Sequence, residues 1–311
     1  MILLTGADGF VGSALRHALQ AQGMASVCAT RQPRQACVAV GAIDGATDWA
    51  PCLNGVDRVV HLAARVHVMR DTEPDVLAAY RKVNVAGSVN LARQAAAAGV
   101  RRFVFISSIK VNGEGGVQAA PYRADDRPAP EDPYGVSKLE AENALLDLAR
   151  QTGMEVVIIR PVLVYGPGVK ANFRKLMRLV GAGFPFPLGA VHNRRSLVAL
   201  DNLVDLILVC LRHPAAANRV FLAADGEDVS TPELIRRLAA AMGRPARLLP
   251  VPALLLRIGA VLLGRRNAAN RMLGSLRADI SLNRDILGWR PPLPLSQGLM
   301  AAVKDFQESS Q

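Results

Sequence analysis

The chain opens on a short apolar run, Ile2-Leu3-Leu4, which passes directly into Thr5-Gly6-Ala7-Asp8-Gly9-Phe10-Val11-Gly12 and then into a segment of helical period over residues 13–22. Three glycines at this spacing between a strand and a helix restrict the fold more than any other feature of the sequence. Gly6 permits a tight turn, Gly9 lets the backbone approach a pyrophosphate, and Gly12 lets the helix pack closely on the strand. The helix start then offers unpaired N–H groups to an anion. Downstream, apolar or β-branched runs at 26–29, 58–62, 103–107 and 156–160 alternate with helical segments such as 85–98. This rhythm predicts an α/β fold, a doubly wound parallel Rossmann sheet. From Gly166 onward Pro and Gly accumulate, which predicts a smaller mixed C-terminal substrate domain. The expected division is a dinucleotide-binding domain over 1–165, with 196–224 returning to its sheet, and a second domain over 166–195 and 225–311.

Composition narrows the function classes. With 311 residues, half of them hydrophobic, the chain can bury a sizeable core, and disorder is excluded as its main state. No apolar run reaches the roughly 20 residues of a membrane span. The longest candidate, near 251–264, is broken by Pro252, Arg257 and Gly259. With no basic leader before the glycine motif, the expected location is the cytoplasm. The four cysteines show neither a CxxC spacing nor a framework with histidines, so no metal is expected. A net charge of +11 raises nucleic acid as a partner, but aromatics at 5% are too sparse for base-stacking platforms, and none is expected. The stretch 251–266, with Leu254, Leu255, Ile258, Val261 and Leu262 beside Arg257, Arg265 and Arg266, fits either an interfacial amphipathic helix or a helix packed into the small domain. Its short polar face favours packing.

Tyr134 and Lys138 stand four residues apart in Tyr134-Gly135-Val136-Ser137-Lys138, on one helical face after Asp132-Pro133. A phenol of pKa about 10 is a poor proton shuttle near neutrality, and a fixed neighbouring cation lowers that value. Lys138 is therefore expected to tune Tyr134 for acid–base work. Ser107-Ser108 ends the 103–107 strand run upstream. At the end of the second strand the chain reads Ala29-Thr30-Arg31, with Arg34 nearby and no carboxylate, which favours the 2′-phosphate of NADP(H) over NAD(H).

Taken together, TGxxGFxG, the serine pair, YxxxK, Asn84 in Val83-Asn84-Val85-Ala86-Gly87, Arg160-Pro161 with Val164-Tyr165-Gly166-Pro167-Gly168, and Leu287-Gly288-Trp289 resemble the extended short-chain dehydrogenase/reductases nearly end to end. Within that family the chain is most similar to the UDP-galactose 4-epimerase group of nucleotide-sugar enzymes. Ser107-Ser108-Ile109-Lys110-Val111-Asn112-Gly113-Glu114 looks like the stretch found in bacterial UDP-N-acetylquinovosamine-type 4-ketoreductases. The resemblance implies Ser108, Tyr134 and Lys138 as catalytic residues, with Ser107 as a structural neighbour. It implies Gly6, Gly9, Phe10, Val11, Gly12, Thr30, Arg31, Arg34, Asp44, Leu62, Ala63, Ala64, Asn84, Tyr134 and Lys138 around the cofactor. Asp44 would meet the adenine amine. Ser108, Lys110, Asn172, Arg195 and Arg271 would hold a UDP-sugar, with Arg65 and His67 as weaker contacts.

Two departures are informative. Ile109-Lys110 stands where related sugar dehydratases carry an Asp-Glu pair, which argues against dehydration, and Leu163 stands where the family places asparagine. The expected activity is reduction of the C4 ketone of a UDP-4-keto-6-deoxy-N-acetylhexosamine for surface polysaccharide synthesis. Alternatives are a UDP-hexose or UDP-N-acetylhexosamine 4-epimerase, which uses the same three residues, and a dinucleotide-sensing regulator, which typically lacks the Tyr/Lys pair. The resemblance further implies a homodimer formed through the helix that follows Tyr134.

Overall fold

A computed structural model of the chain describes residues 1–66, 73–116, 120–262 and 272–309. The first half runs β1 (Ile2–Thr5), α1 (Phe10–Ala21), β2 (Ser26–Thr30), β3 (Cys37–Ala39), α2 (Ala50–Leu53), β4 (Arg58–His61), α3 (Val76–Arg81), α4 (Ser88–Ala97), β5 (Arg102–Ile106), α5 (Pro133–Thr152) and β6 (Glu155–Pro161). A π-helical turn, Lys82–Gly87, joins α3 to α4. The second half runs β7 (Leu163–Tyr165), α6 (Ala171–Gly181), β8 (Arg195–Ala199), α7 (Leu200–Arg212), β9 (Arg219–Ala223), β10 (Asp228–Val229), α8 (Thr231–Ala241), α9 (Ala253–Leu262), α10 (Ser281–Leu287) and α11 (Leu295–Glu308).

Seven strands form one sheet in the order β3-β2-β1-β4-β5-β6-β9, and every registered pair in it is parallel. Successive residues of these strands point to opposite faces, and both faces are covered, as a parallel sheet requires. Ile2, Leu4, Val60, Val104, Val157 and Ile159 face α1 and α7 through Leu15, Leu19, Leu203 and Ile207. Leu3, Val59, Phe103, Phe105, Val156 and Ile158 face α4 and α5 through Leu91, Ala95, Ala141 and Leu145. The doubly wound Rossmann architecture expected from the sequence is therefore present.

A second core unites Phe173 and Met177 of α6, Leu197 of β8, Ile235 and Leu238 of α8, and Leu295 and Leu299 of α11. A three-stranded mixed sheet, β10-β8-β7, accompanies it. One expectation is corrected here. Of the segment 196–224, α7 and β9 do return to the large sheet, but β8 pairs with β7 and β10. Its sequence has strand character, and nothing local in it specifies which edge it joins. A second correction concerns α9, which does not bury its apolar face: Leu254, Leu255, Ile258 and Val261 are all exposed. No helix among the described residues is long and apolar enough to cross a membrane.

Candidate active site

The large sheet changes winding direction between β1 and β4, and the carboxyl ends of these strands open a crevice at that point. The glycine turn stands on one side of it. Gly6 has φ +68°, and a Cβ there would lie 2.8 Å from the backbone nitrogen of Ala63; one on Gly12 would lie 2.1 Å from the carbonyl oxygen of Gly6. Both positions exclude a side chain, which accounts for the spacing. Gly9 precedes α1 with no side chain capping the helix, leaving its first-turn N–H groups without a side-chain partner. Phe10 and Val11 begin that helix and pack partly against the core. Behind the turn, Leu62, Ala63 and Ala64 leave β4, and the N–H of Ala63 donates to Thr5 Oγ1 at 3.3 Å.

His61 supports this floor. It is fully buried between Thr5 (2.7 Å at Nδ1) and Ser88 (2.9 Å at Nε2). Burial, aided by the charge of Lys138, lowers its pKa to about 3, so the ring is neutral. The adenosine end of the crevice carries no carboxylate at the tip of β2. Thr30 is buried and donates to the carbonyl of Gln32 at 2.8 Å, Arg31 is exposed, and Arg34 pairs with Asp8 of the glycine turn at 3.1 Å. Asp44 lies 3.7 Å from Lys82 and accepts from the N–H of Ala46. Turn and crevice thus fit a dinucleotide, because the glycines let the turn close tightly on Ala63 and the start of α1, whose uncapped first turn leaves N–H groups for a pyrophosphate.

Asp132 caps α5, accepting from the N–H of Gly135 at 2.7 Å, and thereby sets the first turn that carries Tyr134. Lys138 lies one turn further on, almost fully buried, and donates to the carbonyl of Ile106 at 2.8 Å while facing the Phe105 ring at 4.4 Å. The two serines at the end of β5 have different partners. Ser107 donates to Glu142, whereas Ser108 hydrogen-bonds Tyr134 and caps the short turn Ile109–Val111. The structure thus brings Ser108 to Tyr134, with Lys138 one turn further along α5.

Their electrostatics differ from expectation. Burial, together with Asp132 and Tyr80, raises the Tyr134 pKa above its usual 10, against the hydrogen bond of Ser108. Burial also lowers that of Lys138 to about 7, with Glu142 opposing.

Asn84 sits on the π-helical turn, fully buried. Its side chain accepts from the Arg65 N–H at 2.8 Å and donates to the Arg65 carbonyl and to Ser137 Oγ, each at 3.0 Å. In this structure it is a strut between the post-β4 segment and α5. Lys110 is bound by Asp132 and by Glu114 (3.1 Å). Burial alone would lower its pKa, but those two carboxylates raise it. Arg195 donates to the carbonyl of Gly274 at 3.1 Å and feels the charge of Glu114, so it shares a neighbourhood with Lys110. Asn172 is exposed on the first turn of α6. Arg271 and His67 lie outside the described residues.

Sequence reasoning missed two features of the site. Tyr80 packs edge-on against the Tyr134 ring, with centroids 5.9 Å apart. Glu142 receives a forked pair from Arg160, with Nη2 2.6 Å from Oε2 and Nε 3.0 Å from Oε1, and Arg160 also reaches Asn112 at 3.0 Å. The available signal was a glutamate four residues after Lys138, on the buried side of α5.

A glycine cradle at a Rossmann switch point, followed by a Ser/Tyr/Lys cluster at the end of β5, defines a dinucleotide-dependent enzyme of the short-chain dehydrogenase/reductase kind. Residues 2–224 match the NAD dependent epimerase/dehydratase family, and the chain belongs to that family. It is 49% identical to the UDP-glucose 4-epimerase of Vibrio cholerae over 99% of this chain and 96% of that protein. It is 28% identical to the GDP-6-deoxy-D-mannose reductase of Pseudomonas aeruginosa over 81% of this chain and 80% of the relative. Among solved structures, the UDP-glucuronic acid 4-epimerase from Bacillus cereus in complex with NAD shares the fold, with a TM-score of 0.79, 23% identity, and 100% of this chain and 99% of that one covered.

Proposed function

We propose that the protein catalyses hydride transfer at C4 of a UDP-hexose or UDP-N-acetylhexosamine, and that it does so as a 4-epimerase. The observation that carries this reading is the 49% identity, nearly end to end, with a UDP-glucose 4-epimerase. The catalytic cluster is compatible with it, since an epimerase uses the same three residues in both directions. A bound dinucleotide would supply the hydride acceptor and donor. Tyr134 would take the proton of the C4 hydroxyl as the sugar is oxidised and return it on reduction from the other face. Ser108, bonded to Tyr134, would hold the C4 oxygen, and Lys138 would hold the cofactor's ribose. In this reading the second lobe, 166–195 and 225–311, holds the nucleotide sugar, with Arg195 at its pyrophosphate.

A second reading, reduction of a UDP-4-keto-6-deoxy-N-acetylhexosamine by NADPH, is favoured by the tip of β2, where Arg31 and Arg34 stand in place of a carboxylate. Purified protein incubated anaerobically, first with UDP-glucose or UDP-N-acetylglucosamine and then with the 4-keto sugar plus NADPH or NADH, separates the two by NMR and nicotinamide absorbance. Interconversion of C4 epimers without added cofactor supports the epimerase. Stoichiometric oxidation of NADPH to a single C4 product replaces it with the reductase, and Arg31→Ala should then raise KM for NADPH while leaving that for NADH unchanged. Neither reaction would overturn both readings.

A further inference from the structure

The apolar face of α9 is the largest feature the active site does not use. Leu254, Leu255, Ile258 and Val261 recur at helical spacing, and their exposures run from 48% to 68%; Leu249 before the helix and Met272 beyond it are each 50% exposed. Among the described residues, Leu256 packs the helix against the second core. Patches of this kind on a folded chain mark an interaction surface.

The charge around the helix selects the partner. Leading into and along the helix, residues 243–262 carry Arg244, Arg247 and Arg257 with no acid and no lysine, and Arg244 and Arg247 are exposed. Arg257 stands on α9 itself and is half-buried. A second copy of the chain fits this surface poorly, because a twofold interface sets a patch against itself and would press arginines on arginines. An anionic bilayer matches both properties, taking the leucines at the acyl boundary and the arginines at the phosphates.

We propose that α9 and the exposed arginines that lead into it, Arg244 and Arg247, dock the protein on an anionic lipid surface, with the helix lying in the plane of the headgroups. Among the described residues no helix is long and apolar enough to span, and the exposed face of α9 is one-sided. The inference is independent of which reaction the enzyme performs.

The test is flotation of the full-length chain with vesicles of phosphatidylglycerol and phosphatidylethanolamine, and with vesicles of phosphatidylcholine alone, at physiological and at high salt. Binding is expected to the anionic vesicles, with release at high salt and little retention on the neutral ones. The double variant L254E/I258E should bind about tenfold or more weakly while keeping the wild-type Tm and the wild-type turnover of soluble UDP-sugar. Failure of the wild-type chain to float with anionic vesicles overturns the proposal. So does equal binding by the variant. Loss of dimer in the variant by light scattering, with no vesicle binding by the parent, would assign the face to a second copy instead.

Discussion

Two adjacent serines at the end of β5 divide structure from chemistry by a single peptide unit. Ser107 is buried and satisfies Glu142, while Ser108 reaches Tyr134. Ser108→Ala should lower kcat by about a hundredfold with the fold intact, and Tyr134→Phe by at least as much. Ser107→Ala should leave a buried carboxylate short of a donor and cost about 1–3 kcal/mol, read in urea unfolding. His61 carries a different signature. Its native pKa of about 3 lies below the unfolded value of 6.5, so only the unfolded chain takes up a proton between them. The stabilisation is complete above about pH 6.5 and is lost as pH falls towards 3, at about 1.4 kcal/mol per pH unit. His61→Asn, which keeps polar atoms towards Thr5 and Ser88, should flatten the fall of Tm between about pH 6.5 and 5, above the range where carboxylates dominate.

At the scale of elements, α5 joins catalysis to the core. Its cap, Asp132, and the buried pair of Glu142 with Arg160 sit at either end of the segment that presents Tyr134 and Lys138. Removing one partner of a buried pair leaves the other charge stranded, so Glu142→Gln should destabilise by about 3–5 kcal/mol, whereas Glu142→Met combined with Arg160→Met should recover much of the loss. Urea unfolding checks both. What the sequence made legible follows from how local each requirement is. The glycine turn depends on one backbone conformation and one close approach within a few residues, and the Tyr134–Lys138 pairing depends on helical spacing alone. One partner of Lys110, Asp132, lies 22 residues away, and no local pattern announces it. The destination of β8 and the open face of α9 likewise depend on what the rest of the chain leaves uncovered. The shifts of Tyr134 and Lys138 escaped for a related reason, since spacing reports proximity but not burial.

The whole molecule is sewn together near the point where the family match ends. Asp225 accepts from Tyr165 Oη at 2.8 Å, from the Ala199 N–H at 2.8 Å and from Asn202 Nδ2 at 2.7 Å, tying β7, β8 and α7 to one carboxylate. Trp289 Nε1 donates to Asp205 of α7 at 2.7 Å. A fragment of residues 1–224 would lose Asp225 and Trp289 and would strip α8 and α11 from Leu197 and Phe173. Such a fragment is expected to be insoluble or molten, with no cooperative transition by circular dichroism, although it retains the whole glycine turn and the Ser/Tyr/Lys cluster. The π-helical turn at Lys82–Gly87 has a comparable reach. One surplus residue per turn advances everything beyond it by roughly 100° of rotation, so the helical path from Val76 to Ala97 carries two faces out of phase with each other. Ahead of the turn, Tyr80 addresses Tyr134; beyond it, Leu91, Ala92 and Ala95 address the sheet. Deleting a single residue there would restore a regular helix and leave only one of those two faces correctly aimed.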